Sequence, residues 1–318
     1  MYRGKTIGVV VPAYNEETLI DRVFESMPDF VDKIVVVNDC SQDQTCLIVN
    51  SYIKQNQPNC RVKLISLAQN QGVGGAIVEG YKWCRDQGIE VTAVMAGDAQ
   101  MDPADLPVLL DPVVAGEVDY TKGNRLVSGE AWNKIPRVRY LGNAGLSLLT
   151  KIASGYWHIA DSQTGYTATN LKVLKSLDLD HIYKRYGMPN DMLVKLNVYN
   201  FRVRDIEITP VYDIGESSGI NPIRIIPKLS CLLLNLFFWR MVQKYVIRDF
   251  HPLVFFYLIG FLLLLVCVPL TFRLFYLWGL NGQIPPINAL AIMFCSITSM
   301  QLSLFAMWFD MEYNKHLR

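Results

Sequence analysis

The stretch Val94-Met95-Ala96-Gly97-Asp98-Ala99-Gln100-Met101-Asp102-Pro103 turns from an apolar run into acids and a proline. An Asp before a Pro is ordinary turn chemistry. At the carboxyl end of a buried strand, where an α/β sheet places its ligands, the same Asp is a metal-binding candidate. Two other apolar runs end alike. VVVPAYNEE (Val9–Glu17) finishes on a Pro and a Tyr followed by acids, and VVVNDCSQDQT (Val35–Thr45) finishes on Asn38-Asp39. A turn-forming Asp explains either one alone; three such ends outline a ligand crevice. NQGVGGA (Asn70–Ala76) adds a Gly-rich approach to a helix N-terminus, which could face phosphate. It lacks the GxGxxG spacing and does not follow the first strand, so by itself it is a weak signal.

These groups need elements to carry them. Ile7–Val11, Ile34–Val37, Val62–Leu67 and Val91–Met95 read as strands buried on both faces. Helical spacing separates them at Glu17–Met27, Gln44–Lys54 and Gly74–Arg85, with Ser41 offering N-cap chemistry before the second. The alternation predicts right-handed βαβ units and a doubly wound α/β fold with a mostly parallel sheet. Beyond Asp119 the pattern is less regular. It predicts helices over Val138–Ile152 and Asn190–Val198, a strand within Phe201–Tyr212, and a loop in YDIGESSGINP.

The 318 residues carry a net charge of +1, which gives no reason to expect nucleic acid as a partner. A hydrophobic fraction of 51% with only 19% charged residues is high for a soluble enzyme, and the excess falls after residue 228. Leu253–Phe272 and Ile287–Phe309 are each long and apolar enough to cross a bilayer. Ile223–Arg248 mixes an apolar stripe with Arg224, Lys228, Arg240, Lys244 and Arg248, and predicts helices in the headgroup plane with cations toward anionic lipid. Cations flank the pair of spans at Arg240, Lys244, Arg248, Lys315 and Arg318, against Arg273 between them. By the positive-inside rule the α/β domain and both termini are cytoplasmic. The seven cysteines form no CxxC pair, which suits reduced, structural thiols, and the N-terminus reads as a strand rather than a signal peptide. The expected organisation is therefore residues 1–220 as the α/β domain, 221–250 as interfacial helices and 251–318 as a transmembrane hairpin.

PAYNEE, NDCSQDQT, GDAQMDP, KGNR (Lys122–Arg125), DSQTGY (Asp161–Tyr166), NDMLVKL (Asn190–Leu196) and VIRDFHPLVFFY (Val246–Tyr257) together resemble the family 2 inverting glycosyltransferases of GT-A fold. Within that family the resemblance is to the polyprenyl-phosphate branch of dolichol-phosphate mannose and glucose synthases, and it covers essentially the whole chain. It implies a nucleotide-sugar donor and a polyprenyl or dolichyl phosphate acceptor. It implies nucleotide contacts at Pro12, Ala13, Tyr14, Glu16 and Asp39, the last on the base. Asn70, Gly72, Ala96 and Asp98 complete the expected donor side. The family's Asp-x-Asp falls on Ala96-Gly97-Asp98, so the first acid is missing here. Asp98 and Gln100, expected to ligate Mg²⁺ or Mn²⁺, are kept.

The expected catalytic set is Asp98, Gln100 and Arg125. A lipid phosphate is already anionic at neutral pH, so displacing a nucleoside diphosphate from the anomeric carbon needs cations more than a strong base. His158, His181, His251 and His316 form no acid–base constellation and read as packing or surface residues. Arg125 with Arg137 or Arg139 suits the acceptor phosphate. Asp161, Gln163 and Asp191 are expected around the sugar or acceptor, with a helix N-terminal role an equal competitor for Asp191. Arg202 and Arg204 fit a solvated strand face equally well. A transferase for another membrane lipid shares every feature except acceptor shape. A degenerate nucleotide-binding scaffold would account for Ala96 but leaves Asp39, Asp98 and Gln100 without a purpose. A processive polysaccharide synthase should show a QxxRW-like motif and more spans, and neither is present. The membrane segments also offer a surface for homo-oligomers.

Overall fold

A computed structural model describes the backbone of residues 1–126, 137–209 and 222–318, and the side chains of these except 137–141, 143 and 222–225. Among the described residues a seven-stranded sheet runs in the order β3-β2-β1-β4-β6-β5-β7. Its strands are β1 (Ile7–Ala13), β2 (Lys33–Asn38), β3 (Val62–Ser66), β4 (Val91–Val94), β5 (Tyr120–Asn124), β6 (Thr167–Asn170) and β7 (Val203–Glu207). β1 pairs in parallel with β2 and β4, β2 with β3, and β5 with β7, while β6 runs antiparallel between β4 and β5. The doubly wound, mostly parallel architecture expected from the alternation is what the chain adopts.

The first helices are α1 (Ile20–Ser26), α2 (Thr45–Gln55), α3 (Val73–Asp86) and α4 (Leu106–Val114). α5 (Arg137–Ser154), α6 (Leu171–Ser176) and α7 (Met188–Val198) follow. Alternate residues of β1 serve opposite faces, as a period of two requires. Val10 packs with Tyr81 of α3 and Met192 of α7, whereas Ile7, Val9 and Val11 pack with Phe24 of α1 and Leu109 of α4. Each such buried aliphatic side chain contributes about 1.5–3 kcal/mol. Gly80 of α3 lies so close to β1 that an added Cβ would stand 2.3 Å from Val10 Cγ1.

From β1 the chain winds outward through β2 to β3, then returns to place β4 on the other side of β1. Such a reversal opens a crevice at the carboxyl ends of the two strands that part there. PAYNEE begins in the last two residues of β1 and AGDAQ follows β4, so the reversal brings to one edge two segments about eighty residues apart.

The chain forms two compact units, Met1–Phe237 with Leu317–Arg318, and Phe238–His316. α8 (Pro222–Val242) runs across the boundary, and in the first unit its Leu229 and Leu233 pack on Leu146 and Ala153 of α5. The second unit holds α9 (Leu253–Asn281) and α10 (Pro286–Tyr313), both long and apolar enough to span a membrane. Gly282, in the left-handed region at φ 67°, ends the first of them. Gly260 meets Ser299 closely, with Ser299 Oγ donating to the Gly260 carbonyl at 2.7 Å.

The expected outward placement of the basic residues does not hold at Arg240 and Lys244. Both are fully buried. The Arg240 guanidinium forks onto Asp310 at 2.7 and 3.0 Å, and Lys244 donates to Asn314 Oδ1 at 2.7 Å. Several outward residues of the same stretch are instead apolar, among them Phe238, Val242, Val246 and Ile247. A paired cation is cheaper to bury than an orphaned Asp310 would be, and that reverses the amphipathic orientation. Lys228 and Arg248 are exposed as expected, and the Arg224 side chain and the YDIGESSGI loop lie outside the described residues.

Candidate active site

β1 and β4 end side by side, with Gly97 N–H donating to the Pro12 carbonyl at 3.2 Å. Pro12 and Ala13 are themselves buried in β1, and Tyr14 beyond them is 47% exposed. Non-glycine residues in the left-handed region follow three strands here: Asn15 at φ 57°, Cys40 at φ 62° and Ala99 at φ 56°. Such conformations cost about 1–3 kcal/mol each and collect where backbone must be aimed at a ligand. Asp98 Oδ1 accepts the Gln100 backbone N–H at 3.1 Å, which folds the turn and sets both side chains half-exposed at the crevice. An added Cβ on Gly97 would lie 3.4 Å from Glu16 Cγ, so Glu16 rests against the Asp-containing turn.

The electrostatics of this corner favour a cation. Burial, then Asp98, then Asp43 push the Glu16 carboxyl up to about 7. Among the described residues no cluster of three or more His, Cys, Asp or Glu could cage a metal. Mg²⁺ typically takes only one or two carboxylates and completes its shell with substrate phosphates and water. Asp98 and Gln100 are all-oxygen donors, beside a carboxylate that resists ionising alone. That donor set fits Mg²⁺ or Mn²⁺.

Asp39 and the glycine-rich turn are joined to one another within the protein. The buried Asp39 carboxylate accepts Gln71 N–H at 2.7 Å and Gly72 N–H at 2.8 Å. Gly75 N–H donates to the Lys184 carbonyl at 2.9 Å, and a Cβ on Gly74 would stand 2.6 Å from the Tyr183 carbonyl oxygen. The start of α3 is therefore packed against the Tyr183–Lys184 backbone, which takes up the Gly75 N–H. Asp39 fastens that turn to β2, and Asn70 Nδ2 donates to its carbonyl at 3.2 Å. Only a long-range fold could supply these acceptors, so the local Gly pattern could not reveal them.

Across the crevice KGNR forms the end of β5. The wholly buried Lys122 ammonium donates to the Thr164 carbonyl, and burial lowers its pKa to about 8. Arg125 grips Asp161 through Nε–Oδ2 at 2.8 Å and Nη2–Oδ1 at 3.2 Å. Burial pushes the Asp161 carboxyl up, but Arg125 and then Lys122 hold it below its ordinary range. Asp161 thus orients Arg125 and is itself fully buried. Gln163 Nε2 donates to Ser162 Oγ at 2.6 Å and to Asn190 Oδ1 at 3.1 Å. Tyr166 OH donates to the Asp102 carbonyl at 3.0 Å, so DSQTGY touches the GDAQMDP turn.

Asp191 lies apart from this assembly. Its Oδ2 accepts Tyr183 N–H at 2.7 Å and Lys195 Nζ at 2.8 Å, an anchoring role in the first turns of α7. The neighbour Asn190 is the residue that reaches DSQTGY, and no periodicity singled it out. Arg137 and Arg139 stand in the first turn of α5, and their side chains lie outside the described residues. Arg202 and Arg204 pair with Asp119 and Glu117 at 3.6 and 2.6 Å. His158 bonds the Val203 carbonyl at 2.7 Å, and burial lowers its pKa; His181 pairs with Asp178. Both rings are held by acceptors of the protein itself.

The model of "Glycosyl transferase family 2" matches residues 8–178, from β1 through α6. The chain belongs to that family. This glycosyltransferase is 29% identical over 228 residues to the UDP-N-acetylglucosamine–dolichyl-phosphate N-acetylglucosaminyltransferase of Methanococcus voltae, covering 68% of this chain and 90% of the relative. It is 29% identical over 214 residues to the undecaprenyl-phosphate mannosyltransferase of Micrococcus luteus, covering 65% and 85%. Among solved structures the fold matches glucosyl-3-phosphoglycerate synthase from Mycobacterium tuberculosis, in complex with Mn²⁺, uridine diphosphate and phosphoglyceric acid. That match has a TM-score of 0.53 at 18% identity over 74% of this chain and 78% of that one. The polyprenyl-phosphate branch expected from the motifs is where the two sequence relatives fall.

Proposed function

We propose that this family 2 glycosyltransferase moves a sugar from a UDP- or GDP-linked donor to polyprenyl or dolichyl phosphate, with inversion at the anomeric carbon. The reading rests chiefly on one observation: the Asp98–Gln100 turn and the Arg125–Asp161 pair stand at the carboxyl edge of one sheet, linked through the 161–166 segment. One half suits a diphosphate with its cation; the other suits an anionic acceptor. The curated relatives, which act on dolichyl and undecaprenyl phosphates, support the acceptor class.

Asp98 and Gln100 would hold Mg²⁺ or Mn²⁺, which supplies charge neutralisation for the departing diphosphate. Tyr14 and the Asp39-fastened turn border the nucleotide. Arg125, held in place by Asp161, orients the acceptor so that a phosphate oxygen attacks the anomeric carbon as the bond to the diphosphate breaks. The attacking oxygen is already charged, so no residue needs to remove a proton. The Ala96 position lowers the number of acids on the donor side, and Glu16 lies close enough to share that role.

The apolar spans give the reading its location. Exposing a polyprenyl chain to water costs about 0.8 kcal/mol per CH₂, so the transfer has to occur at the bilayer surface. We place α9 and α10 across the membrane, with both termini cytoplasmic. The test is nucleotide release by detergent-purified protein over a panel of UDP- and GDP-sugars, with and without Mg²⁺ or Mn²⁺ and polyprenyl phosphate. Release with one donor that requires both metal and lipid is the expected result. Release that ignores the lipid phosphate would sink the acceptor assignment, and absence of nucleotide binding by calorimetry would mark a degenerate site.

A further inference from the structure

Asp205 lies on β7 at the sheet edge, in register with Lys122 of β5. Its Oδ2 accepts two hydrogen bonds, from the Asn124 side-chain amide at 2.9 Å and from the Ala160 backbone N–H at 2.6 Å. Asn124 belongs to KGNR, and Ala160 immediately precedes DSQTGY. One oxygen atom therefore joins the two segments that carry Arg125 and Asp161. Asn124 Oδ1 in turn accepts the Leu126 N–H at 3.0 Å, so the Asn124 side chain closes the turn around Arg125. The strand end is tight on its other sides as well. Gly123 N–H donates to the Tyr166 carbonyl at 2.8 Å, and an added Cβ at Gly123 would stand 2.5 Å from Ile208 Cδ1.

The Oδ1 atom of Asp205 is buried and has no hydrogen-bond partner among the described residues. An amide oxygen could accept the same two bonds, so bonding alone does not require a carboxylate. The negative charge has its own use beside the buried Lys122: with Arg125 and Asp161 the four charges balance.

We infer that Asp205 is a positioning residue for the acceptor half of the site, fixing the KGNR turn against the start of DSQTGY and so setting where Arg125 meets an anionic phosphate oxygen. The ligand in this inference rests on the proposed transfer to a lipid phosphate, while the frame is a property of the free chain. Neither strand periodicity nor motif marks Asp205, because its partners are about 45 and 80 residues away in the chain.

Wild type, Asp205→Ala and Asp205→Asn, each as the full chain in detergent, decide the matter by two readouts. In hydrogen exchange without ligand, Asp205→Ala should lose protection at 123–126 and 160–163 together while β1 to β4 keep theirs. Asp205→Asn retains an accepting oxygen and should keep protection at both. In transfer assays with saturating donor, Asp205→Ala should raise KM for polyprenyl phosphate about 10-fold or more, with donor KM within about twofold, and Asp205→Asn should restore most of it. Unchanged exchange in Asp205→Ala overturns the inference. So does loss of protection spread over the whole sheet, with donor and acceptor KM rising together. If wild type transfers no sugar, the proposed function fails and the exchange pattern alone decides for or against the frame.

Discussion

At the residue scale, Asp98 is the side chain whose chemistry has the fewest substitutes. Asp98→Asn keeps the turn-forming acceptor for Gln100 N–H but removes the charge, so kcat should fall about 100-fold or more while folding is retained. Turnover within tenfold of wild type would remove Asp98 from the metal site. Glu16 gives a pH prediction whose sign follows from its raised pKa of about 7, due first to burial and then to Asp98 and Asp43. The folded state holds this proton where the unfolded chain has released it, so stability of the apo protein falls as pH rises from about 4.5 to about 7. Glu16→Gln removes that decline. Its melting temperature should exceed wild type at pH 7.5 by about 2 °C, a small gain because the group is partly solvated. Ala99, at φ 56°, should accept glycine with near-neutral stability. Ala99→Val should cost about 1–2 kcal/mol in denaturant unfolding, because a branched Cβ crowds that backbone.

At the element scale, the contact of α3 with β1 sets how closely the donor edge can assemble. Gly80→Ala would force a methyl group against Val10, and it should destabilise the protein by about 1–3 kcal/mol without touching the crevice. Thermal unfolding together with nucleotide affinity of the surviving folded fraction checks both halves of that statement. The strands β1 to β4 were legible because each is a short apolar run, buried on both faces in β1, β2 and β4; the edge strand β3 departs from that expectation, with Lys63 and Ser66 exposed because no strand covers its outer side. β5 and β6 were not. YTKGN carries a buried lysine, and TATN is three polar residues around one alanine, so neither shows an apolar run. Their burial depends on neighbours elsewhere in the chain. Lys122 is tolerated in the core because the Thr164 carbonyl receives its ammonium, a partner that only the folded sheet supplies.

At the scale of the whole molecule, the second unit depends on an ion pair between segments seventy residues apart. Arg240→Met leaves Asp310 buried without its cation and should cost about 3–5 kcal/mol. Arg240→Met with Asp310→Leu should recover most of that loss, as read by thermal unfolding in detergent. If the single and double variants melt alike, the pair is not what holds this region. Topology is open to a separate test. A cysteine at Gln283, between the spans, should react with an impermeant thiol reagent from the side opposite to one at Lys315. Labelling of both from one side would mean that α9 and α10 do not cross.

The amino-acid sequence by itself determined the doubly wound class, the crevice at the ends of β1, β2 and β4, and the paired apolar helices. Each of these is written in local periodicity, which neighbouring residues express without help from distant ones. The tertiary structure decided which polar groups are taken up by partners within the protein. It fastened Asp39 to the Gln71–Gly72 turn, assigned Asp161 to Arg125, tied Asp191 to Tyr183 and Lys195, and buried Arg240 and Lys244. A buried polar side chain goes where its hydrogen bonds are made, and those partners are distant in sequence, so their choice becomes visible only when the chain has folded.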